Sequence, residues 1–354
     1  MLAVFTQLVF LMFYFNVFAR HKSKSIRAEY PEFLPVSLLI IARDESPNLK
    51  ELLPLLLNQD YPAFEIFILD DFSSDDTAEW LPGFAAQFPK IRYARLNEAS
   101  GKKSSLDQAI HHLSHDFVLL TDADCRPASS NWISLMVEAA SSETEAVLGY
   151  SPYFQQPGWL NELIGLETAY TATIYFSFAL NHHPYMGVGR NLLYRKQSLI
   201  KHFRPFRYPE VLSGDDDLTI NAMGNGPGIS IQYDPASWVF SIPKKDWKAW
   251  INQKKRHVST ARYYKISDQV LLMLFYSSLV ISWVLALGLG FINPWIWAGW
   301  IGIKAGCFNR IIRPCLIKLG LDLSFIKWLR AEAIYTLGLI YLFPFSTGKK
   351  WNKW

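Results

Sequence analysis

From Val270 to Ile303 the chain carries no charged residue over about 34 positions, which is too long for one membrane-crossing helix and suits two. Asn293-Pro294 is the natural turn between them. Trp283, Trp295, Trp297 and Trp300 match the aromatic enrichment of a membrane interface, although packing inside a helix bundle gives the same pattern. A second uncharged run, Leu2 to Ala19, is followed by Arg20-His21-Lys22-Ser23-Lys24. It lacks the basic lead and the small-residue cleavage site of a signal peptide, so residues 1–20 read as a membrane anchor. A shorter candidate span runs from Ala331 to Phe345. From Ile311 to Arg330, the basic residues Arg313, Lys318, Lys327 and Arg330 alternate with apolar ones. A helix lying in the headgroup layer and an ordinary amphipathic helix both give that pattern. A membrane region with two or three spans and an interfacial helix is therefore expected over 270–348.

The stretch 30–265 is the expected soluble domain. Basic residues after the first span and between Lys244 and Lys265 place it on the cytoplasmic face of an inner membrane that the chain crosses more than once. The basic tail Lys349-Lys350-Trp351-Asn352-Lys353 conflicts with three C-terminal spans under the same rule. The net charge of +4 suits juxtamembrane cations near anionic lipid, and no basic stripe with interleaved aromatics argues for nucleic acid. Cys125, Cys307 and Cys315 have no paired spacing, so they imply neither a disulfide framework nor a zinc site, and a reducing compartment follows.

Within 30–265, Val36 to Ala42 reads as a buried strand, followed by Arg43-Asp44-Glu45 and a helix with leucines at 49, 52, 53, 56 and 57. Strands at Phe64–Leu69, Ile91–Leu96 and Phe117–Leu120 alternate with helices near Thr77 and over Ser104–Leu113. That alternation predicts an α/β domain with a parallel sheet covered on both faces, and ligands of such sheets bind beyond the C-terminal strand ends. The acidic groups Asp70-Asp71 and Asp122-Ala123-Asp124 fall at those ends. A D-x-D pair alone is a common polar turn. Several carboxylates on one edge repel one another unless a cation or donors are present, and Asp122 and Asp124, on one side of a strand, suit Mg²⁺ or Mn²⁺. Gly101-Lys102-Lys103 opens a helix on the same edge, which suits a diphosphate, although a solvated loop has the same sequence.

The ordered motifs at Val36–Glu45, Leu69–Thr77, Gly101–Asp107 and Asp122–Asp124 resemble those of family 2 glycosyltransferases, over about Pro35 to Tyr264. The resemblance implies a GT-A fold, a Rossmann-like unit whose nucleotide-sugar half is 30–150 and whose acceptor half is 151–265. It also implies a nucleotide-sugar donor, usually a UDP-sugar, bound with Mn²⁺ or Mg²⁺. By the same resemblance Ala42, Arg43 and Glu45 line the nucleotide, Asp71 beside Asp70 contacts the uracil, Lys102 lies near the diphosphate, and Asp122 and Asp124 hold ribose and metal.

Ser213-Gly214-Asp215-Asp216-Asp217 precedes a helix expected at Leu218–Met223. One aspartate there is explained by helix capping, worth about 0.5–2 kcal/mol; three exceed that need. Transfer with inversion needs a base for the acceptor hydroxyl. The family has Glu-Asp at this position; the register puts Asp215 at the base, with Asp216 in reserve and Gly214 where the glutamate is expected. Gln253-Lys254-Lys255-Arg256-His257 resembles the family's Q-x-x-R-W motif with His257 in place of tryptophan. Gln253 and Arg256 share a helix face and are expected at the donor diphosphate, while lipid headgroup binding is the rival role for this basic helix. Arg190 and Asn191, after Gly187-Val188-Gly189, are expected at the donor or acceptor sugar by the same resemblance, although a flexible turn explains a lone G-x-G.

The resulting expectation is an inverting, metal-dependent transferase moving a sugar to a lipid or lipid-linked acceptor of the cell envelope. A processive polysaccharide synthase is the first alternative, disfavoured because few spans are present to enclose a channel. A catalytically silent scaffold with the same fold requires broken acidic motifs, and only Gly214 and His257 depart. A phosphatase of the haloacid dehalogenase type carries D-x-D after its first strand, whereas here it follows the fourth.

Overall fold

The computed structural model describes residues 2–22, 34–204, 207, 214–224, 226 and 228–347. Ser213, the boundary at 30 and the basic tail from Lys349 lie outside the described residues. The described residues form two compact units: 34–154 with 186–243, and 2–22 with 155–185 and 244–347. The expected division at 265 thus differs from the contacts, which group 155–185 and 244–265 with the helices of the apolar region.

The first unit is built on a seven-stranded sheet in the order β3-β2-β1-β4-β7-β6-β8. Its strands are β1 Val36–Ala42, β2 Phe64–Asp70, β3 Ile91–Arg95, β4 Phe117–Leu120, β6 Ala146–Gly149, β7 Leu192–Arg195 and β8 Ile229–Gln232. A two-stranded sheet pairs β5 Cys125–Pro127 with β9 Val239–Ser241. The unit's helices are α1 Ser46–Leu57, α2 Thr77–Ala85, α3 Lys102–Ile110, α4 Trp132–Glu138, α5 Lys196–His202 and α6 Asp215–Met223. The sheet is parallel except at β7, which runs antiparallel to both β4 and β6. The sheet is thus mostly parallel, as a Rossmann-like unit implies, with one reversed strand.

Both faces of β1 and β2 are covered, which explains their continuous apolar runs. The leucine stripe of α1, Leu49, Leu52, Leu53 and Leu56, packs with Leu38, Ile40, Ile66, Ile68 and Trp132 in one buried cluster. Register then fixes the functional edge. Ala42 lies opposite Asp70, and Leu39 opposite Leu120, so Asp122 emerges level with the last residues of β1.

In the second unit, three helices are long and apolar enough to cross a membrane: Leu2–Arg20, Trp159–Leu180 and Ile266–Ile292. Trp159–Leu180 falls within the stretch 151–265 that the resemblance assigns to the acceptor half. Asn293 ends the third of these helices and caps the next, Pro294–Cys307, its side chain accepting from the Trp295 N–H at 3.0 Å. The expected single helix over Ile311–Arg330 is not formed. A helical stretch ends at Lys318, Gly320 takes φ +78°, and a new helix runs from Phe325 to Thr347. Gly320 has the left-handed conformation that commonly terminates helices.

Candidate active site

The site is assembled at the C-terminal edge of β1, β2 and β4, with α6 and the stretch before β7 supplying the rest. After β4 the chain turns through Asp122, with the Cys125 N–H donating to the Asp122 carbonyl at 3.1 Å. The donor atoms of Asp122, Asp124 and Cys125 all lie within 4.8 Å of one another. This set fits a divalent cation through its two carboxylates. The Cys125 thiol is fully buried, and burial, with Asp122 next, pushes its pKa well above the usual thiol range. A neutral thiol is a poor ligand for Mg²⁺ or Mn²⁺ beside hard oxygen donors.

Lys102, the first residue of α3, donates to Asp122 Oδ1 at 2.7 Å. Burial alone would lower its pKa, but Asp122, Asp215 and Asp216 outweigh that and hold the ammonium well above its usual value. Lys102 therefore remains charged. Gly101, with φ +82°, makes the tight entry to α3. Asp71 secures it: one oxygen accepts from Ser100 N at 2.7 Å and the other from Gly101 N at 3.0 Å. Asp71 thus supports the loop that presents Lys102. Asp70 is similarly engaged, accepting from Ser73 N at 2.8 Å and Tyr93 Oη at 3.1 Å, with no exposed surface.

On the β1 side, Ala42 is buried and its carbonyl accepts from Asp71 N at 2.8 Å, while Arg43 is exposed. Asp44 takes φ +56°, a conformation aspartate tolerates. Its Oδ1 accepts from Ser74 N and Ser74 Oγ at 2.6 and 2.9 Å, tying the two loops together. Glu45 is half-buried; burial raises its pKa, an Asn48 hydrogen bond opposes the shift, and the charges of Asp124 and Asp122 reinforce it.

The aspartate triplet sits inside α6, in its first turn, with Gly214 rather than an aspartate at the cap position. The helix thus starts three residues before the expected Leu218. Asp216 Oδ2 accepts from Gly189 N at 2.7 Å and Oδ1 from Asp217 N at 2.9 Å. Burial, then the charge of Asp215, raises the Asp216 pKa well above the carboxylate range. Among the described residues, no hydrogen bond occupies the Asp215 carboxylate.

Arg190 lies over the Tyr153 ring at 4.6 Å and donates to the Ser151 carbonyl at 3.3 Å. Burial opposes its charge, but Tyr153, Cys125, Asp122 and Asp124 together raise its pKa, so a second fixed cation faces the D-x-D carboxylates. Asn191 is a correction. It is fully buried; its Oδ1 accepts from Trp132 Nε1 at 2.9 Å and its Nδ2 donates to the Tyr150 and Ser237 carbonyls at 2.8 and 2.9 Å. It ties α4 to the residues just after β6 and just before β9, and both of its amide hydrogens are used in doing so. Gln253, Arg256 and His257 belong to the other unit, on the helix Trp247–Val258, whose first turn is capped by Asp246 through Ala249 N at 2.9 Å. On that helix Lys254 pairs with Glu167. Sequence reasoning missed Tyr153, Asn48 and Arg126; only Arg126, immediately after the D-x-D turn, carried a positional signal.

Residues 37–203 match the model of Glycosyl transferase family 2. That match covers 167 of the chain's 354 residues, and over this part the chain is similar to family 2 glycosyltransferases. Over 104 residues, 29% of the chain, it is 30% identical to a poly-beta-1,6-N-acetyl-D-glucosamine synthase of Staphylococcus epidermidis. Over 119 residues, 32% of the chain, it is 32% identical to a beta-monoglucosyldiacylglycerol synthase of Nostoc sp.. The matched part spans 25% of each of these relatives. A solved mannosyltransferase of Pyrobaculum calidifontis, in complex with GDP-Man and Mn²⁺, superposes with a TM-score of 0.57 at 17% identity, covering 96% of this chain and 95% of that one. That likeness is one of fold.

Proposed function

We propose that this enzyme transfers a sugar, with inversion, from a nucleotide-sugar, a UDP-sugar in the first instance, to a lipid or lipid-linked acceptor at the cytoplasmic face of the membrane. The observation that carries the reading is the pairing of Lys102 with Asp122 at 2.7 Å, beside Asp124 and the first turn of α6. Lys102 and Arg190 supply positive charge for a diphosphate. Asp124 and Asp122 hold a divalent cation, Mn²⁺ or Mg²⁺, which supplies charge neutralisation for the departing nucleoside diphosphate. Asp215, whose carboxylate accepts no hydrogen bond among the described residues, takes the proton from the acceptor hydroxyl as that oxygen attacks the anomeric carbon. Asp216, bound to Gly189 N, keeps the stretch carrying Arg190 against α6.

A donor screen on purified protein tests this, using UDP- and GDP-sugars, Mn²⁺ or Mg²⁺, a membrane lipid extract, and Asp124→Ala as control. Metal-dependent consumption of one donor, lost in the variant, is expected. Consumption of none, or full turnover by Asp124→Ala, ends the proposal. The staphylococcal relative's name favours a second reading, repeated transfer to a growing polysaccharide. Product size in the same assay separates the two.

A further inference from the structure

The D-x-D turn is held from beneath by a side chain that the proposed mechanism does not use. Arg126 is almost buried, its side chain 12% exposed. One arm of its guanidinium, Nη1, donates to the Ala123 carbonyl at 3.1 Å and the Cys125 carbonyl at 2.7 Å. The first belongs to the peptide that enters Asp124 and the second to the peptide after Cys125, so together they bracket Asp124 and Cys125. The other arm, Nη2, reaches α1, donating to Glu51 Oε2 at 2.7 Å and Asn48 Oδ1 at 3.3 Å. Asn48 continues the chain of contacts, its Nδ2 donating to Glu45 Oε2 at 2.6 Å.

We propose that Arg126 is a positioning residue that sets the direction of the Asp124 carboxylate toward its cation by fixing the peptide that enters Asp124 and the peptide after Cys125 to α1. The inference rests on the reading that Asp124 binds a metal. The physical case is geometric. Holding the Ala123 and Cys125 carbonyls brackets the two residues between them and narrows their backbone freedom, so the Asp124 side chain starts from fewer orientations and less ordering is needed when a cation arrives. A planar fork with five donors can bridge two carbonyls and two side-chain oxygens at once, and an ammonium cannot reproduce that geometry. The Asn48 link makes Glu45 and the D-x-D turn one hydrogen-bonded unit anchored on the same helix. Groups that orient metal ligands in this way typically contribute about 10–100-fold to metal affinity.

Mn²⁺ binding to the full chain in detergent, followed by the loss of the free-ion electron paramagnetic resonance signal, tests the proposal without requiring turnover. Arg126→Lys is expected to weaken Mn²⁺ binding by about tenfold or more, with a small change in unfolding temperature. Glu51→Ala and Asn48→Ala, which leave the arginine in place, are expected to give smaller losses. In turnover, Arg126→Lys should raise the Mn²⁺ concentration for half-activity while kcat recovers at saturating metal, which a general structural defect would not allow. Wild-type affinity in Arg126→Lys overturns the inference. Should that variant not fold, unchanged affinity in both Glu51→Ala and Asn48→Ala overturns it equally. Asp124→Ala separates the two failures: if the unsubstituted chain binds no Mn²⁺, or Asp124→Ala binds it as well, the metal reading fails and takes this inference with it.

Discussion

Asp215 and Asp216 are neighbours in sequence with different surroundings. Asp216 is committed to Gly189 N and Asp217 N, and its pKa is raised by burial and by Asp215. A carboxyl whose folded pKa lies above its unfolded value costs stability as pH rises from about 4 through the folded pKa, because the unfolded chain loses that proton first. Asp216→Asn, which keeps an acceptor for Gly189 N, should therefore raise the unfolding temperature at pH 8, by an amount corresponding to about 1 kcal/mol, with little gain at pH 4. A lower melting point at pH 8 would contradict the assigned cause. Asp215→Asn should abolish transfer with nucleotide binding retained, whereas Asp216→Asn should keep partial activity; equal loss in Asp216→Asn alone would move the base. At this scale the sequence marked residue types well, and Asn191 shows where it stopped. Its position after a glycine-rich stretch suggests a sugar contact, but its three side-chain bonds to Trp132, Tyr150 and Ser237 depend on chain segments far apart in sequence.

Elements carry the next set of effects. At the end of the sheet away from the site, Glu65 on β2 faces Ser37 on β1, accepting from Ser37 Oγ at 2.6 Å, Ser114 N at 2.6 Å and Arg92 Nη1 at 2.9 Å. Burial would raise its pKa, but these bonds prevail and bring it down to about 2. A carboxylate depressed in this way contributes stability that is complete above its unfolded pKa of about 4.5 and lost as pH falls toward 2. Glu65→Gln should lower stability by roughly 1–2 kcal/mol at pH 7, after allowing for solvent screening, and by almost nothing at pH 2. Equal losses at both pH values would argue against it. Among the helices of the other unit, Lys304 donates to Glu332 at 2.6 Å, and Trp283 Nε1 donates to the same oxygen at 3.0 Å. Removing one partner of such a pair typically costs about 3–5 kcal/mol, while replacing both by apolar groups is often neutral. Lys304→Met should therefore lower the unfolding temperature in detergent, and Lys304→Met with Glu332→Leu should recover it. The helix period made these elements legible, but the antiparallel β7 was not, since strand direction depends on the connection and not on the strand's own residues.

For the whole molecule, Leu2–Arg20, Trp159–Leu180 and Ile266–Ile292 are long and apolar enough to cross a membrane, and the prediction is that the protein is integral to one. It should stay with membranes through an alkaline carbonate wash and require detergent for release; recovery in the wash would refute membrane integration. The sequence by itself determined the strand–helix alternation, the placing of Asp70, Asp71, Asp122 and Asp124 at strand ends, the apolar runs and the family motifs. All of these are local: hydrophobic period, turn chemistry and motif order are written within a few residues. Only the tertiary structure decided which carboxylates accept no hydrogen bond among the described residues, that Asp71 supports a loop, that Trp159–Leu180 packs with the apolar helices, and that Arg126 holds the D-x-D turn. Those outcomes depend on which distant groups come within hydrogen-bond range, and bonds such as Arg126 to Glu51 or Gly189 to Asp216 exist only after the sheet has set its register.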